Sequence, residues 1–318
     1  MLTFLEFCIL ILLFCLHLIS MFVLLCHEKL DTLIEAANLE LEKIVKYMES
    51  NKLLISKPKC NYMIVPPKPR QVVPPTCVKL GTDEISKVCE TTFLGLIIDD
   101  RMTFRSQIEK VKNKLRSGIG ALTMVRNCFN YKAKLALYNG LIKPYLDYGF
   151  LVYGDCLNKG QMATLEVLQK KAVRIIFNAR FNTHSSQLFA LSNITPIRNM
   201  YKKESLIFMK KYELGKQPTI FNEIIGKICT DSRLRSNQSN KIQIDKNLKK
   251  GNLLYSMFKA WNDSELPLRE CSSINSLKKN LKELQRIEMS QKICTKRKCY
   301  MCLRDRFCNF EGYMKLNE

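Results

Sequence analysis

The sequence predicts a mainly α protein with a small α/β portion, and three observations carry that prediction. From Arg101 to Tyr212 apolar residues recur at helical spacing, with lysine and arginine on the polar face. Ahead of that region only two short stretches read as strands, "NYMIVPP" and "TTFLGLIID". Third, 51 Lys+Arg against 29 Asp+Glu give a net charge of +22 over 318 residues, of which 47% are hydrophobic. That length and apolar content provide for a sizeable core and exclude a disordered chain. The basic excess points to a polyanionic partner, nucleic acid first and an acidic membrane face second.

The elements follow in order. Residues 1–26 are an apolar leader, uncharged from Phe7 to Leu25 and long enough to cross a bilayer as a helix. Its one early charge is Glu6, and no small-residue cleavage site follows, which argues against a removable signal peptide. Two readings stand: a membrane anchor through 7–25, or a translated remnant of another reading frame. The protein is membrane-anchored on the first and nuclear or cytoplasmic on the second.

Residues 27–100 change texture. "LDTLIEAANLELEKIVKYMESNKL" puts Leu33, Ile34, Ala37, Leu41, Ile44, Val45 and Met48 on one helical stripe, with acids early and lysines later. The strand "NYMIVPP" leads into a proline-rich loop, and "TTFLGLIID" reads as one strand with a glycine inside it. Residues 101–215 hold the helices "FRSQIEKVKNKLRSGIGALTMVRNC", "YKAKLALYNGLIKPYLDYGFLVYG" and "MATLEVLQKKAVRIIFNA", then shorter helices around "IRNMYKKESLIFMKKYELG". In 216–287 a polar, basic, loop-rich stretch at 227–252 precedes two last helical patterns, "LLYSMFKAWNDSELP" and "SINSLKKNLKELQRI". A cysteine-rich basic tail occupies 288–318.

Of the 14 cysteines, Cys60, Cys89, Cys128 and Cys229 stand isolated among apolar or helical residues and read as buried free thiols. Only Cys294, Cys299, Cys302 and Cys308 cluster, spaced Cys-x4-Cys-x2-Cys-x5-Cys. Four thiolates satisfy tetrahedral zinc, and Cys-x2-Cys is the usual knuckle; the outer spacings are less typical. The alternative is chance cysteines in a loose tail. A disulfide-dense secreted module is excluded by this distribution.

In order, five short motifs resemble the C-terminal part of a non-LTR retrotransposon reverse transcriptase of the jockey-like LINE type. "EKIVKYMESNKLLISKPKCNYMIV" matches the helix, Asn-Lys-Leu element and lysine of the family, the lysine falling on Lys59. Phe93, Leu94, Gly95 and Asp99 match its Phe-Leu-Gly strand, and Pro144 to Gly149 its Pro-Tyr-Leu-x-Tyr-Gly segment. "LQKKAVRII" matches a helix through Leu168, Gln169, Lys171, Ala172, Arg174 and Ile175, and "FKAWNDSELP" with "SLKKNLKEL" matches the closing segment and basic helix. The resemblance implies the end of a polymerase palm in 27–100, a helical thumb in 101–215 and a post-thumb region in 216–287. It also implies RNA, RNA–DNA hybrid or DNA duplex as a sequence-independent partner. In the family an aromatic-x-Asp-Asp hairpin ahead of the first helix helps to hold two magnesium ions. Residues 1–29 contain no aspartate, so the resemblance implies a truncated RNA-directed DNA polymerase, inactive as it stands and left with nucleic-acid binding.

The candidate residues are weighed against that expectation. Asp99 and Asp100 end an apolar strand as metal-binding carboxylates do, yet a strand-end Asp capping the next helix is the stronger reading. Lys59, which the resemblance places beside a triphosphate, stands idle without the carboxylates. Lys110, Lys112, Lys114, Arg116, Lys170, Lys171 and Arg174 are candidates to follow a phosphate backbone, a salt-sensitive, sequence-independent contact. Tyr145, Tyr148, Tyr153 and Trp261 have apolar neighbours and read as core rather than as base-stacking platforms. Other readings of the whole chain are a membrane-anchored basic protein and a domesticated zinc- and nucleic-acid-binding protein.

Overall fold

The apolar leader folds as two strands, β1 (Phe7–Phe14) and β2 (Ser20–His27), and not as the expected membrane helix. In this computed structural model the described residues are 7–14, 20–68, 71–222, 225, 242, 244 and 253–291. No helix among them is long and apolar enough to cross a membrane. They divide into two compact units, Met1–Gln107 and Ile108–Glu318.

In the first unit β1 pairs antiparallel with β2, from Phe7 opposite His27 to Phe14 opposite Ser20. Its other edge pairs antiparallel with β3 (Asn61–Val65), and β3 pairs in parallel with β6 (Ser86–Lys87). The sheet order is therefore β2-β1-β3-β6. Successive strand residues face opposite sides of a sheet. Leu10 and Ile11 are both buried, so both faces of β1 are covered there and its sequence shows no alternation. An uninterrupted apolar run of this kind has the hydropathy of a membrane helix, which is why the leader misreads.

The helix α1 (Leu30–Ser50) joins β2 to β3 and packs Leu33, Ala37 and Leu41 against Ile11, Tyr62 and Ile64. Tyr62 donates its hydroxyl to the Thr76 carbonyl at 2.6 Å, which ties the proline-rich loop to the sheet. Small pairings follow: β4 (Lys79–Leu80) with β5 (Asp83–Glu84), and β7 (Glu90–Phe93) with β8 (Leu96–Asp99). The stretch expected as one strand is thus a hairpin, turning at Leu94 and Gly95.

The second unit is helical. α2 (Arg105–Met124) leads into it, and α3 (Tyr131–Leu141), α4 (Lys143–Asp147) and α5 (Phe150–Tyr153) replace a single expected helix. Pro144 lies in the first turn of α4, and Gly149, at φ 66, turns the chain into α5, a conformation costly for a residue with a Cβ. α6 (Lys159–Ile176) starts with a capping box: Asn158 accepts from the Gln161 amide at 2.8 Å, and Gln161 accepts from the Asn158 amide at 2.9 Å. α7 (Ser185–Ser192) was not anticipated, and α8 (Ile197–Glu213) is one helix where shorter ones were expected. α9 (Leu253–Asn262), α10 (Leu266–Arg269) and α11 (Ile274–Gln291) complete the described chain. α11 runs past Glu288, where the tail was expected to begin. The weakly patterned stretch 227–252 is outside the described residues apart from 242 and 244.

Two polar clamps organise this unit. Gln169, 2% exposed, donates to the Thr195 carbonyl at 2.9 Å and the Tyr138 hydroxyl at 3.2 Å and accepts from the Ile197 amide at 2.9 Å. One side chain on α6 thereby fixes α3 and the start of α8. The second clamp surrounds Trp261, which is buried with Met257, Phe258 and Leu206, as the sequence suggested for it. Asn262 brackets the backbone of Ile242, accepting from its amide at 2.8 Å and donating to its carbonyl at 2.7 Å. Arg269 donates to the carbonyls of Trp261, Asn262 and Ser264, satisfying acceptors at the end of α9.

Replacing Gln169 with leucine strands a buried amide and a buried carbonyl, and the expected loss is on the order of 3 kcal/mol. Lys171→Gln, on the exposed side of the same helix, is expected to change stability by less than about 0.5 kcal/mol. Urea unfolding of the two variants beside the parent chain checks both.

Candidate functional site

Asp99 ends β8 and turns its carboxylate back on the following loop. One oxygen accepts from the Thr103 amide and hydroxyl, both at 2.9 Å, and the other from the Phe104 amide at 2.6 Å. Three donors on one carboxylate leave it occupied as a brace for the loop ahead of α2. The loop needs that hold, because Met102 and Phe104 have φ of 53°, a left-handed conformation unfavourable for side chains of their size. Asp99 is thus a turn residue: its donors belong to the two residues before α2 and not, as the capping reading expected, to the first amides of the helix. Among the described residues no three or more His, Cys, Asp or Glu side chains are grouped to hold a metal.

The β7–β8 hairpin is held at its tip. Phe93 packs edge-on against Phe22 of β2, with ring centroids 4.5 Å apart and planes at 74°. Leu94 (φ 45°) and Gly95 (φ 83°) form the turn, both with the positive φ that matches strand twist in a two-residue hairpin. Leucine in that conformation carries strain, and its side chain stands 63% exposed. The β1–β2 hairpin beside it carries no carboxylate at any position from Phe7 to His27. Magnesium is bound by oxygen ligands, mainly carboxylates, so this hairpin does not fit that ion. Lys59 closes a 3-10 turn, Lys57–Lys59, ahead of β3 and is exposed; its neighbour Lys57 is paired with Asp83.

The seven basic candidates sit on two helices of the second unit, and they are not equivalent. At 100° per residue, Lys110 and Lys114 lie on one flank of the buried stripe of α2, and Lys112 and Arg116 on the other. Lys112 is 2.7 Å from Glu109, and its ammonium holds that carboxyl below the ordinary range. Arg116 donates to the Asn113 side chain at 3.1 Å. The only acid of α2 is therefore on the Lys112 flank. On the Lys110 flank, Lys114 stands over the ring of Tyr145, 5.8 Å from its centroid. On α6, Lys170 is paired with Glu166 at 3.4 Å, a carboxylate that also takes Arg198. Arg174 donates its Nε to the Thr183 carbonyl at 3.0 Å, so it is anchored within the fold. Lys171 is exposed on the side away from Gln169.

Gly118 places Lys114 against Tyr145. A Cβ there would come within 2.7 Å of Ile142 and 3.0 Å of the Leu141 carbonyl, so α2 crosses the α3–α4 junction only because it has none. One turn earlier on α2 is Lys114, and three residues beyond Ile142 is Tyr145. Tyr145 and Tyr148 are 39% and 54% exposed, against the expectation that they are core; Tyr153 and Trp261 are buried as expected. The nearest acid on α4, Asp147, is paired with Lys143 at 3.0 Å.

Sequence reasoning also missed Lys134, a buried lysine donating to the Arg126 carbonyl at 3.2 Å and to Asn178 at 2.9 Å. Burial, with Arg126 close by, lowers its pKa. Nothing in its local pattern separates it from the surface lysines. Cys60 is buried as expected, whereas Cys89 and Cys128 are exposed. Cys229 and the tail cysteines Cys294, Cys299, Cys302 and Cys308 lie outside the described residues.

Two proteins of similar sequence bear on this arrangement. A 90-residue stretch, 27% of this chain, is 28% identical to the RNA-directed DNA polymerase from mobile element jockey of Drosophila melanogaster and covers 10% of that protein. A 105-residue stretch, 32% of the chain, is 29% identical to the polymerase of the same name from Drosophila funebris and covers 11% of it. The chain spans about a tenth of the length of the curated relatives it matches. No family model matches the chain, and no solved structure does. The chain thus carries a segment similar to jockey-like non-LTR reverse transcriptases.

Asp99→Ala is expected to cost about 1–2 kcal/mol, the loss of the acceptor for three loop donors, while Asp100→Ala stays within about 0.5 kcal/mol. Thermal unfolding with and without magnesium checks this, and a magnesium-dependent difference between the two variants contradicts the loop-bracing role. Leu94→Gly is expected to raise the unfolding midpoint by relieving up to about 1 kcal/mol of backbone strain.

Proposed function

We propose that this chain, which carries a jockey-like reverse-transcriptase segment, binds nucleic acid without sequence preference through the face formed by Lys110, Lys114, Tyr145 and Tyr148. The carrying observation is the exposed Lys114–Tyr145 pair on the acid-free flank of α2. A cation fixed beside an aromatic ring serves two parts of a nucleic acid at once. The ammonium meets a phosphate and releases its counterion, and the ring stacks on a base at a frayed or single-stranded end. The net charge of +22 adds long-range attraction for the same partner. RNA, RNA–DNA hybrid and DNA duplex all present the required phosphates. Lys171 extends the basic surface of α6, and Lys112, Lys170 and Arg174 are each held by a contact within the fold.

The second half of the proposal concerns chemistry. The first unit is read as polymerase palm, with the β7–β8 hairpin seated on the strand pair that in the family carries the catalytic carboxylates. Here that pair carries none, so the chain holds a primer–template without extending it. The strained, exposed Leu94 at the hairpin tip suits a contact to a primer end. Zinc at Cys294, Cys299, Cys302 and Cys308 remains a separate proposal, tested by stoichiometric zinc in the purified chain and its loss in Cys299→Ser.

Fluorescence anisotropy with a labelled primer–template duplex, titrated across salt, tests the binding. Affinity is expected to fall linearly on a log–log plot, and Lys114→Glu to reduce the slope by about one. Tyr145→Ala is expected to weaken binding by about 1–3 kcal/mol at unchanged slope. Salt-insensitive binding would sink the interface, and magnesium-dependent primer extension would sink the claim about the hairpin.

A further inference from the structure

Cys8 and Cys26 face each other across the β1–β2 ladder, in register, with their Sγ atoms 2.6 Å apart. Cys8 is 1% exposed and Cys26 is half-buried, so one thiol is sheltered and the other accessible. Directly opposed residues in an antiparallel pair have Cα atoms about 4.5–5.5 Å apart, inside the range of about 4.4–6.8 Å that a disulfide spans. The backbone therefore already has the separation a bridge requires.

We propose that Cys8 and Cys26 are a redox pair that closes to a cross-strand disulfide and fastens the edge strand β2 to β1. With an organic disulfide such as oxidised glutathione the steps balance. The Cys26 thiolate attacks one glutathione sulfur and expels the first glutathione thiolate, leaving a mixed disulfide. Cys8 then attacks the Cys26 sulfur, loses its proton to solvent and expels the second glutathione. Two protein thiols are oxidised, and one glutathione disulfide is reduced to two thiols. The bridge closes the loop over residues 9–25 and lies at the end of the hairpin away from the joining segment 15–19. Because no strand among the described residues pairs with the outer edge of β2, such a bridge restrains its separation from the sheet, and with it the seat of Phe93 on Phe22. The inference rests on the hairpin geometry and is independent of nucleic-acid binding.

The test uses the full chain, purified reduced, equilibrated with oxidised glutathione, alkylated and digested for peptide mapping. A peptide pair joining Cys8 to Cys26, two hydrogens lighter than the reduced pair, is expected. Cys8→Ser is expected to stop the sequence at the mixed disulfide, with glutathione retained on Cys26. Hydrogen exchange of the β2 amides is expected to slow in the oxidised chain. Recovery of both cysteines as alkylated thiols while Cys77, Cys89 and Cys128 carry glutathione overturns the proposal. So does a bridge from either cysteine to a different partner, or unchanged exchange in β2 after the bridge has formed.

Discussion

Backbone hydrogen bonding along both edges of β1 is the constraint from which the first unit follows. A strand this apolar leaves its polar backbone groups nowhere to go except into neighbouring strands. β2 takes one edge and β3 the other, and since each is antiparallel to β1, they run parallel to one another. Linking two parallel strands needs a crossover longer than a turn, which is what the 21 residues of α1 supply. The same helix covers Ile11 and so keeps one face of the sheet dry. The central strand thus dictates the position of its neighbours and the existence of the helix between them.

The second unit is held in a different manner, by polar side chains placed inside it. Gln169, Asn262 and Arg269 each satisfy backbone groups belonging to another element or to a helix end. Two of these lie in segments that carry the family resemblance, "LQKKAVRII" and "FKAWNDSELP". Their buried polar members are structural, and the residues left for contact lie on the outer turns between them. A buried amide with all its partners specifies one packing, because any slip leaves groups unpaired.

What was legible in the sequence follows from the physics of each element. α1, α2 and α6 are long and one-sided, and their period declares them. The leader was illegible because a strand covered on both faces loses the alternation that marks strands. The break of the third predicted helix into α3, α4 and α5 was hidden because its apolar spacing continues across Pro144 and Gly149. The hairpin at Leu94 was hidden because its left-handed turn position is filled by leucine, a residue that sequence rules place elsewhere. Asp99 was legible as a turn residue from its place between strand and helix. Tyr145 and Tyr148 were not, since Leu146 and Phe150 between and beyond them take the buried positions and leave both rings outside.

Gly118 has a bearing on how any functional map of this surface is interpreted. It touches no phosphate and no base, yet its missing methyl group decides how near α2 comes to Ile142 and therefore whether the Lys114 ammonium overlies the Tyr145 ring. Sensitivity to substitution and contact with ligand are separate properties on this face. A change buried at this crossing can erase the pairing of cation and ring by shifting one helix slightly, while replacement of a fully exposed neighbour leaves it intact. On the proposed binding face the sharpest boundary would then run along a helix crossing, one layer beneath Lys114 and Tyr145.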